Sequence, residues 1–370
     1  MRRRFWLKLA LFLLPLVLLY SVPLATMVPS GEVLTADAIA EKHLRASSSS
    51  LYGPAYTNPD KRYKLRSALL RDVPVMSVGT SRVMQFCSGF FEGGEATFYN
   101  AGGLVSRLSH YRRALAHLPD ATRTRYLVLG LDQWSFNDAW GGVSDDPGVE
   151  AEYAESSDAL GNLRTGLSVW PDFVHGKVDL GKLVRPSESL GVNARVRGNG
   201  FRHDGSYMYA DILAHPEEAR DHQFKDSLAR LHDGRDRFEA GVVPSERALS
   251  EARLLFRTAR ERGFSVVAFL PPFAPTVGAA LRASGNHQYL EALPARLREV
   301  TAAEGVPFYD FTSCEALGCT DAEFIDGFHG GDTVYARLTL EMARGVPWLG
   351  PKVSPALAGW LEHAAGRPAP

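Results

Sequence analysis

Cysteine is scarce in this chain: there are three among 370 residues, and none of the spacings is Cys-x-x-Cys. Zinc and dithiol redox sites use that spacing, so neither is expected. An excess of charge of either sign is also missing. The 41 Lys and Arg residues balance 42 Asp and Glu, leaving a formal net charge of −1. Without a basic field, nucleic acid is not an expected partner. The chain has no internal repeat, no His-Glu-x-x-His, no Walker loop and no dinucleotide fingerprint, so no metal and no cofactor is expected. Its Gly-x-Ser-x-Val at 79–83 is not the Gly-x-Ser-x-Gly elbow of α/β-hydrolases.

What is present begins with a run of 20 residues without a charge, 9–28, behind Arg2, Arg3, Arg4 and Lys8. As a helix, about 20 apolar residues cross the roughly 30 Å of a bilayer core. The basic flank predicts that this end stays cytoplasmic and that the rest lies outside. A cleaved signal peptide is the competing reading; the run is long for one, and no clean Ala-x-Ala site follows it. Residues 1–28 are therefore read as a membrane anchor and 29–73 as a stalk with short helices over 36–45 and 60–70. A globular domain follows over 74–350, with an insertion at about 138–243, and 351–370 form a tail. In an oxidising compartment Cys314 and Cys319 can pair and brace the loop that follows; the alternative is that all three cysteines are reduced core residues.

From Pro74 the pattern alternates. Strands are expected over 75–78, 96–99, 126–131, 264–270 and 307–311. Helices are expected over 104–118, 245–262, 289–303 and 333–344, with a charged helical stretch over 207–232. The apolar run at 126–131 suits a strand covered on both faces. This order predicts an α/β fold with a five-stranded parallel sheet and helices on both sides. In such sheets the residues just past the strand ends line one crevice. Those residues are Gly79-Thr80-Ser81-Arg82, then Asn100-Ala101-Gly102-Gly103, then Gly130-Leu131-Asp132-Gln133, and later Asp326-Gly327-Phe328-His329. A serine, a histidine and an aspartate three residues before that histidine are the parts of an activated nucleophile, so Ser81, His329 and Asp326 are the candidate catalytic set.

In motif content and order, residues 74–345 resemble the SGNH (GDSL-type) hydrolase superfamily. Gly79-Thr80-Ser81 stands at the nucleophile block, Asn100-Ala101-Gly102 at the second, Gly130-Leu131-Asp132-Gln133 at the third, and Asp326 to His329 at the last. The third block departs from the family's Gly-x-Asn-Asp, because an ionised Asp132 cannot donate to an oxyanion. The resemblance implies a three-layer flavodoxin-like fold and a Ser81–His329–Asp326 triad, with Gly102 and Gly103 amides in the oxyanion hole. Asn137 or the Arg82 amide would stand in for the missing asparagine. With its single anchor, the chain is similar to the membrane-bound branch that includes D-alanyl transfer and alginate O-acetylation proteins. That implies an O-acyltransferase or esterase acting in the envelope or periplasm on a polysaccharide or acylated carrier. A catalytically weak scaffold for a membrane-bound O-acyltransferase is the alternative.

Other residues carry paired readings. Arg82 either binds substrate charge or pairs with Asp132, itself a candidate substrate contact. Arg202, in a polar turn-rich stretch at 199–206, either grips an anionic or sugar ligand or lies in a surface loop capping the next helix. Trp134 and Trp140 either stack on sugar rings or pack in the core. His203 is a spare candidate base.

Overall fold

The computed structural model describes residues 2–57, 60–143, 149–154 and 165–364. Five strands form one parallel sheet: β1 (Val75–Gly79), β2 (Phe98–Gly102), β3 (Tyr126–Gly130), β6 (Ser265–Leu270) and β7 (Phe308–Asp310), in the order β2-β1-β3-β6-β7. Between β3 and β6, β4 (Asn199–Phe201) pairs antiparallel with β5 (Tyr207–Tyr209).

The strands are apolar throughout because both faces are covered. On one side Met76, Val78, Leu127, Leu129, Val266 and Ala268 join helices Ser109–Ala116, Glu246–Glu261 and Tyr289–Ala303 in one core. On the other, Val75, Val128, Val267 and Phe269 meet helices Pro275–Ser284 and Asp332–Gly345. This alternation is the two-residue period of a strand with no polar face.

Four expectations need correction. β2 begins two residues later than 96–99 predicts, because Gly94–Ala96 form a 3-10 turn. Asn100 and Gly102 therefore lie within the strand, paired with Ser77 and Gly79 of β1. Residues 29–73 do not stand off as a stalk. Leu65 and Ala68 of helix Asp60–Arg71 enter the main core, while Ile39, Tyr52 and Tyr63 form a satellite core with Phe201. Glu32, buried, accepts hydrogen bonds from the amides of Ala55, Tyr56, Thr57 and Val192. The helical reading of 207–232 holds only for Lys225–Asp233 and the short Ala210–Ala214. The rest is β5 and 3-10 turns, with Gln223 and Phe224 at positive φ breaking the path. The segment after 350 is docked as far as it is described. Phe91 bridges to Val353, and Trp360 of helix Leu357–Ala364 lies 6.0 Å from the Phe90 ring.

Helix Arg2–Ser30 is long and apolar enough to cross a membrane. Its first two-thirds project with their apolar side chains exposed, while Thr26, Met27 and Ser30 at its far end are buried in the body. Cys314 and Cys319 are buried as free thiols, the second of the two expected readings, and the Cys319 amide donates to the Cys314 carbonyl across the turn between them.

Candidate active site

β1 ends at Gly79, and Thr80 starts a 3-10 turn over Ser81–Val83 by accepting a hydrogen bond from the Arg82 amide. Gly79 is required by close approach. A Cβ there would come within 2.7 Å of Val83, whose side chain fills the space between Gly79 and Gly130. The turn thus folds tightly back over the strand end and presents Ser81 at the sheet's edge.

The second half of the site is a self-bracing loop. The Ile325 amide donates to the His329 carbonyl at 2.8 Å, closing the loop, and the bridge Phe324–Gly330 continues it. Asp326 Oδ1 accepts from the Phe328 and His329 amides at 3.0 and 2.9 Å. Its Oδ2 lies 2.7 Å from His329 Nδ1. On the far side of the ring, His329 Nε2 is 2.8 Å from Ser81 Oγ. The carboxylate can only accept, so Nδ1 carries the proton and Nε2 is left to take one from the serine. Burial pushes the Asp326 pKa up, but the His329 ring and the hydrogen bonds outweigh it, holding the carboxyl below its ordinary value. The aspartate is therefore held in its ionised, accepting form at neutral pH. The His329 and Asp326 side chains are 14% and 23% exposed, enough for a ligand to reach Ser81 beside them.

Gly327, between the two, has no room for a side chain: a Cβ would overlap Ser227. Its amide donates to Asp221 Oδ2 at 2.9 Å, and Asp221 also takes the Ser227 amide and hydroxyl. A residue of the long insertion thus fixes the histidine loop. Neither periodicity nor motif marked Asp221 in advance.

The structure brings Ser81, His329 and Asp326 together and separates other expected members. The Gly102 amide is spent on Asn100 Oδ1 at 2.7 Å and the Gly103 amide on the Gly79 carbonyl at 2.9 Å, so neither is free for an oxyanion. Asn137 is likewise occupied, donating to the Glu239 and Ala240 carbonyls. The Ser81 amide, first in its turn, has no acceptor among the described residues.

Arg82 is 1% exposed and cannot reach a ligand. Its guanidinium lies between Trp134 and Phe273 and donates to four oxygens: the carbonyls of Phe328 (3.0 Å), Pro271 (2.8 Å) and Pro272 (2.5 Å), and Gln133 Oε1 (2.6 Å). Asp132, 3% exposed, faces it at 3.8 Å. Burial pushes the Asp132 pKa up, and Arg82 offsets this only in part. Arg82 thus ties the loops together, Asp132 balances its charge, and both are buried away from any ligand. Trp134 is core, edge-on to Phe328. Arg202 lies 3.8 Å from Asp332, which opens the helix after the histidine loop, and also bonds Ser206 Oγ. His203 is held by Glu95 and the Leu44 carbonyl, in a polar cluster with His43 and Arg71, and is no spare base.

Asn100 braces the nucleophile turn from below, donating to the Val83 and Phe86 carbonyls at 2.8 and 2.7 Å. Asn100→Ala would leave the Phe86 carbonyl and the Gly102 amide unpaired in a buried setting, while the Val83 carbonyl keeps only the Phe86 amide. The expected loss is about 2–3 kcal/mol of unfolding free energy, read from urea melts; an unchanged midpoint would refute the brace.

Asp332 is buried, and burial pushes its pKa up to about 7, with Arg202 opposing and nearby Asp204 adding to the rise. The native carboxyl thus keeps its proton between about pH 4 and 7 while the unfolded one has released it. The folded state binds more protons in that window, so this group's contribution makes stability fall as pH rises through it. Asp332→Asn is expected to raise the urea midpoint at pH 8 by the equivalent of about 2 kcal/mol and to change it little at pH 4. A gain of equal size at both pH values would contradict this assignment.

Comparison with protein-family models, with curated proteins and with solved structures gives no match.

Proposed function

We propose that this chain is a membrane-anchored, extracytoplasmic serine hydrolase or O-acyltransferase with a flavodoxin-like SGNH fold. Its substrates are an acylated envelope polysaccharide or carrier. The observation that carries the reading is the unbroken Ser81–His329–Asp326 relay, with contacts of 2.8 and 2.7 Å. In the first half-reaction His329 takes the Ser81 proton as Oγ attacks an ester carbonyl. The tetrahedral intermediate collapses to acyl-Ser81, and His329 returns the proton to the leaving alcohol. In the second, His329 deprotonates water or a sugar hydroxyl, which attacks the acyl-serine and restores Ser81. Asp326 holds the tautomer and balances the imidazolium charge. The Ser81 amide is the donor best placed to meet the developing oxyanion.

Retention of the N-terminal helix is supported by burial. Thr26 and Ser30 have no exposed surface, and Glu32 just beyond organises two loops, so removal of the helix would open the body itself. The Arg2–Arg4 cluster supports a cytoplasmic N-terminus.

A second reading, a weakly catalytic partner of a membrane-bound O-acyltransferase, is favoured by one observation: the Gly102 and Gly103 amides are already used. Labelling by a fluorophosphonate probe separates the two. Covalent labelling of the parent that is lost in Ser81→Ala supports the first; no labelling of the folded parent supports the second.

A further inference from the structure

Proline at position 23 has no N–H to offer the Leu19 carbonyl four residues earlier. That carbonyl has found another donor: the Trp170 indole N–H, at 2.7 Å. Trp170 lies in helix Val169–Val174 of the long insertion. Beside it, Val169, Val178 and Leu183 are buried against Met27, with Val22 and Phe173 packed around them. The insertion is thus clamped to the last third of the apolar helix.

This clamp sets a height. Leu18, Leu19 and Leu24 are still exposed, whereas Thr26 and Met27 are enclosed by protein. Counting back about 20 residues from Leu24 at 1.5 Å per residue reaches Phe5, a span of roughly 30 Å. The outer surface of the bilayer would then lie near Leu19–Leu24, level with Trp170. In the same segment two apolar side chains are exposed, Val174 at the end of Trp170's helix and Val184 just after the next, at 74% and 71%. A half-exposed indole beside exposed aliphatic groups is the composition of an interfacial belt. Charge adds little: between 165 and 185, Lys177, Lys182 and Arg185 face Asp172 and Asp179.

We infer that segment 165–185 rests on the outer leaflet as a lipid-contacting collar, held in place by the Trp170–Leu19 bond and inserting Val174 and Val184 among the headgroups. The inference rests on reading Arg2–Ser30 as a retained membrane span. It assigns the catalytic body two points of attachment, which fixes the height of Ser81 above the membrane where a single tether would let it swing.

The test uses the full chain with Cys87→Ser, reconstituted in phosphatidylcholine vesicles and carrying single NBD-labelled cysteines. The substitutions are Leu14→Cys in the span, Val174→Cys and Val184→Cys in the collar, and Val243→Cys as an exposed apolar site elsewhere. Cys314 and Cys319 are buried and stay unlabelled in the folded protein. Phosphatidylcholine spin-labelled in the headgroup region should quench positions 174 and 184 strongly and leave 243 bright; label deep in the chain should quench 14. Quenching at 14 with positions 174 and 184 as bright as 243 would overturn the collar and leave the anchor standing. A bright signal at 14 would overturn the anchor and the collar with it.

Discussion

Ser81→Ala is expected to lower p-nitrophenyl ester hydrolysis by about a million-fold, and Asp326→Asn by about 10,000-fold. The difference follows from what each change removes. Without the Ser81 hydroxyl no acyl-enzyme forms, so only the binding surface and any oxyanion donors remain. Asp326→Asn would keep the loop's shape, since the new side-chain oxygen can still accept from the Phe328 and His329 amides. It would also present an amide or an uncharged oxygen to Nδ1, weakening the hold on the Nε2-basic tautomer and removing the charge that balances the imidazolium. Because the Asp326 carboxyl sits below its ordinary pKa, the acid limb of the parent's rate should not follow its titration. A Ser81→Ala protein that turns over at the parent rate would end the proposal. One pitfall is contaminating esterase, which the Ser81→Ala preparation itself measures.

The second large effect is on stability. Arg82→Met is expected to cost about 3–5 kcal/mol, the range for removing one partner of a buried charge pair. The loss has two parts: Asp132 is left buried without its cation, and the Phe328 and Pro272 carbonyls and Gln133 Oε1 lose their donor, the Pro271 carbonyl keeping the Gln133 amide. Arg82→Lys should also be destabilising, since an ammonium cannot reproduce the planar fork. Adding Asp132→Asn to Arg82→Met should recover part of the loss, because the unpaired charge is then gone while the Phe328 and Pro272 carbonyls stay unsatisfied. Urea melts of the four proteins measure this directly; a parent-like midpoint for Arg82→Met would refute it. Loss of probe labelling in the folded fraction is also expected, because the Phe328 carbonyl held by Arg82 precedes His329.

The sheet was legible because strands covered on both faces leave continuous apolar runs, as at 126–130 and 265–270. The meeting of Ser81, His329 and Asp326 was legible because the ends of parallel strands converge and Asp-x-x-His closes on itself. What could not be read has a common cause: polar residues that serve the protein's own backbone. Helix Asp60–Arg71 is so charged that it reads as solvent-exposed, yet Lys64 is buried with its ammonium on the Asn100 and Gly205 carbonyls. Arg82 left two readings open, a ligand group or a partner of Asp132, and the structure has it buried, facing Asp132 as a strut. Gly102 and Gly103 read as free donors, but local acceptors only two and 24 residues away had already taken their amides. Such partners depend on tertiary geometry, and no spacing rule announces them.

The serine and its base are separated by 248 positions of chain. At about 5–20 residues per second, that stretch takes roughly 12–50 s to synthesise. Through that whole interval residue 81 is an ordinary alcohol, with nothing nearby to take its proton. On the proposed mechanism, the hydroxyl gains its proton acceptor only once position 329 has been made and its loop has folded against the turn of Ser81. On that mechanism, a chain terminated before position 329 would lack the base and stay inactive.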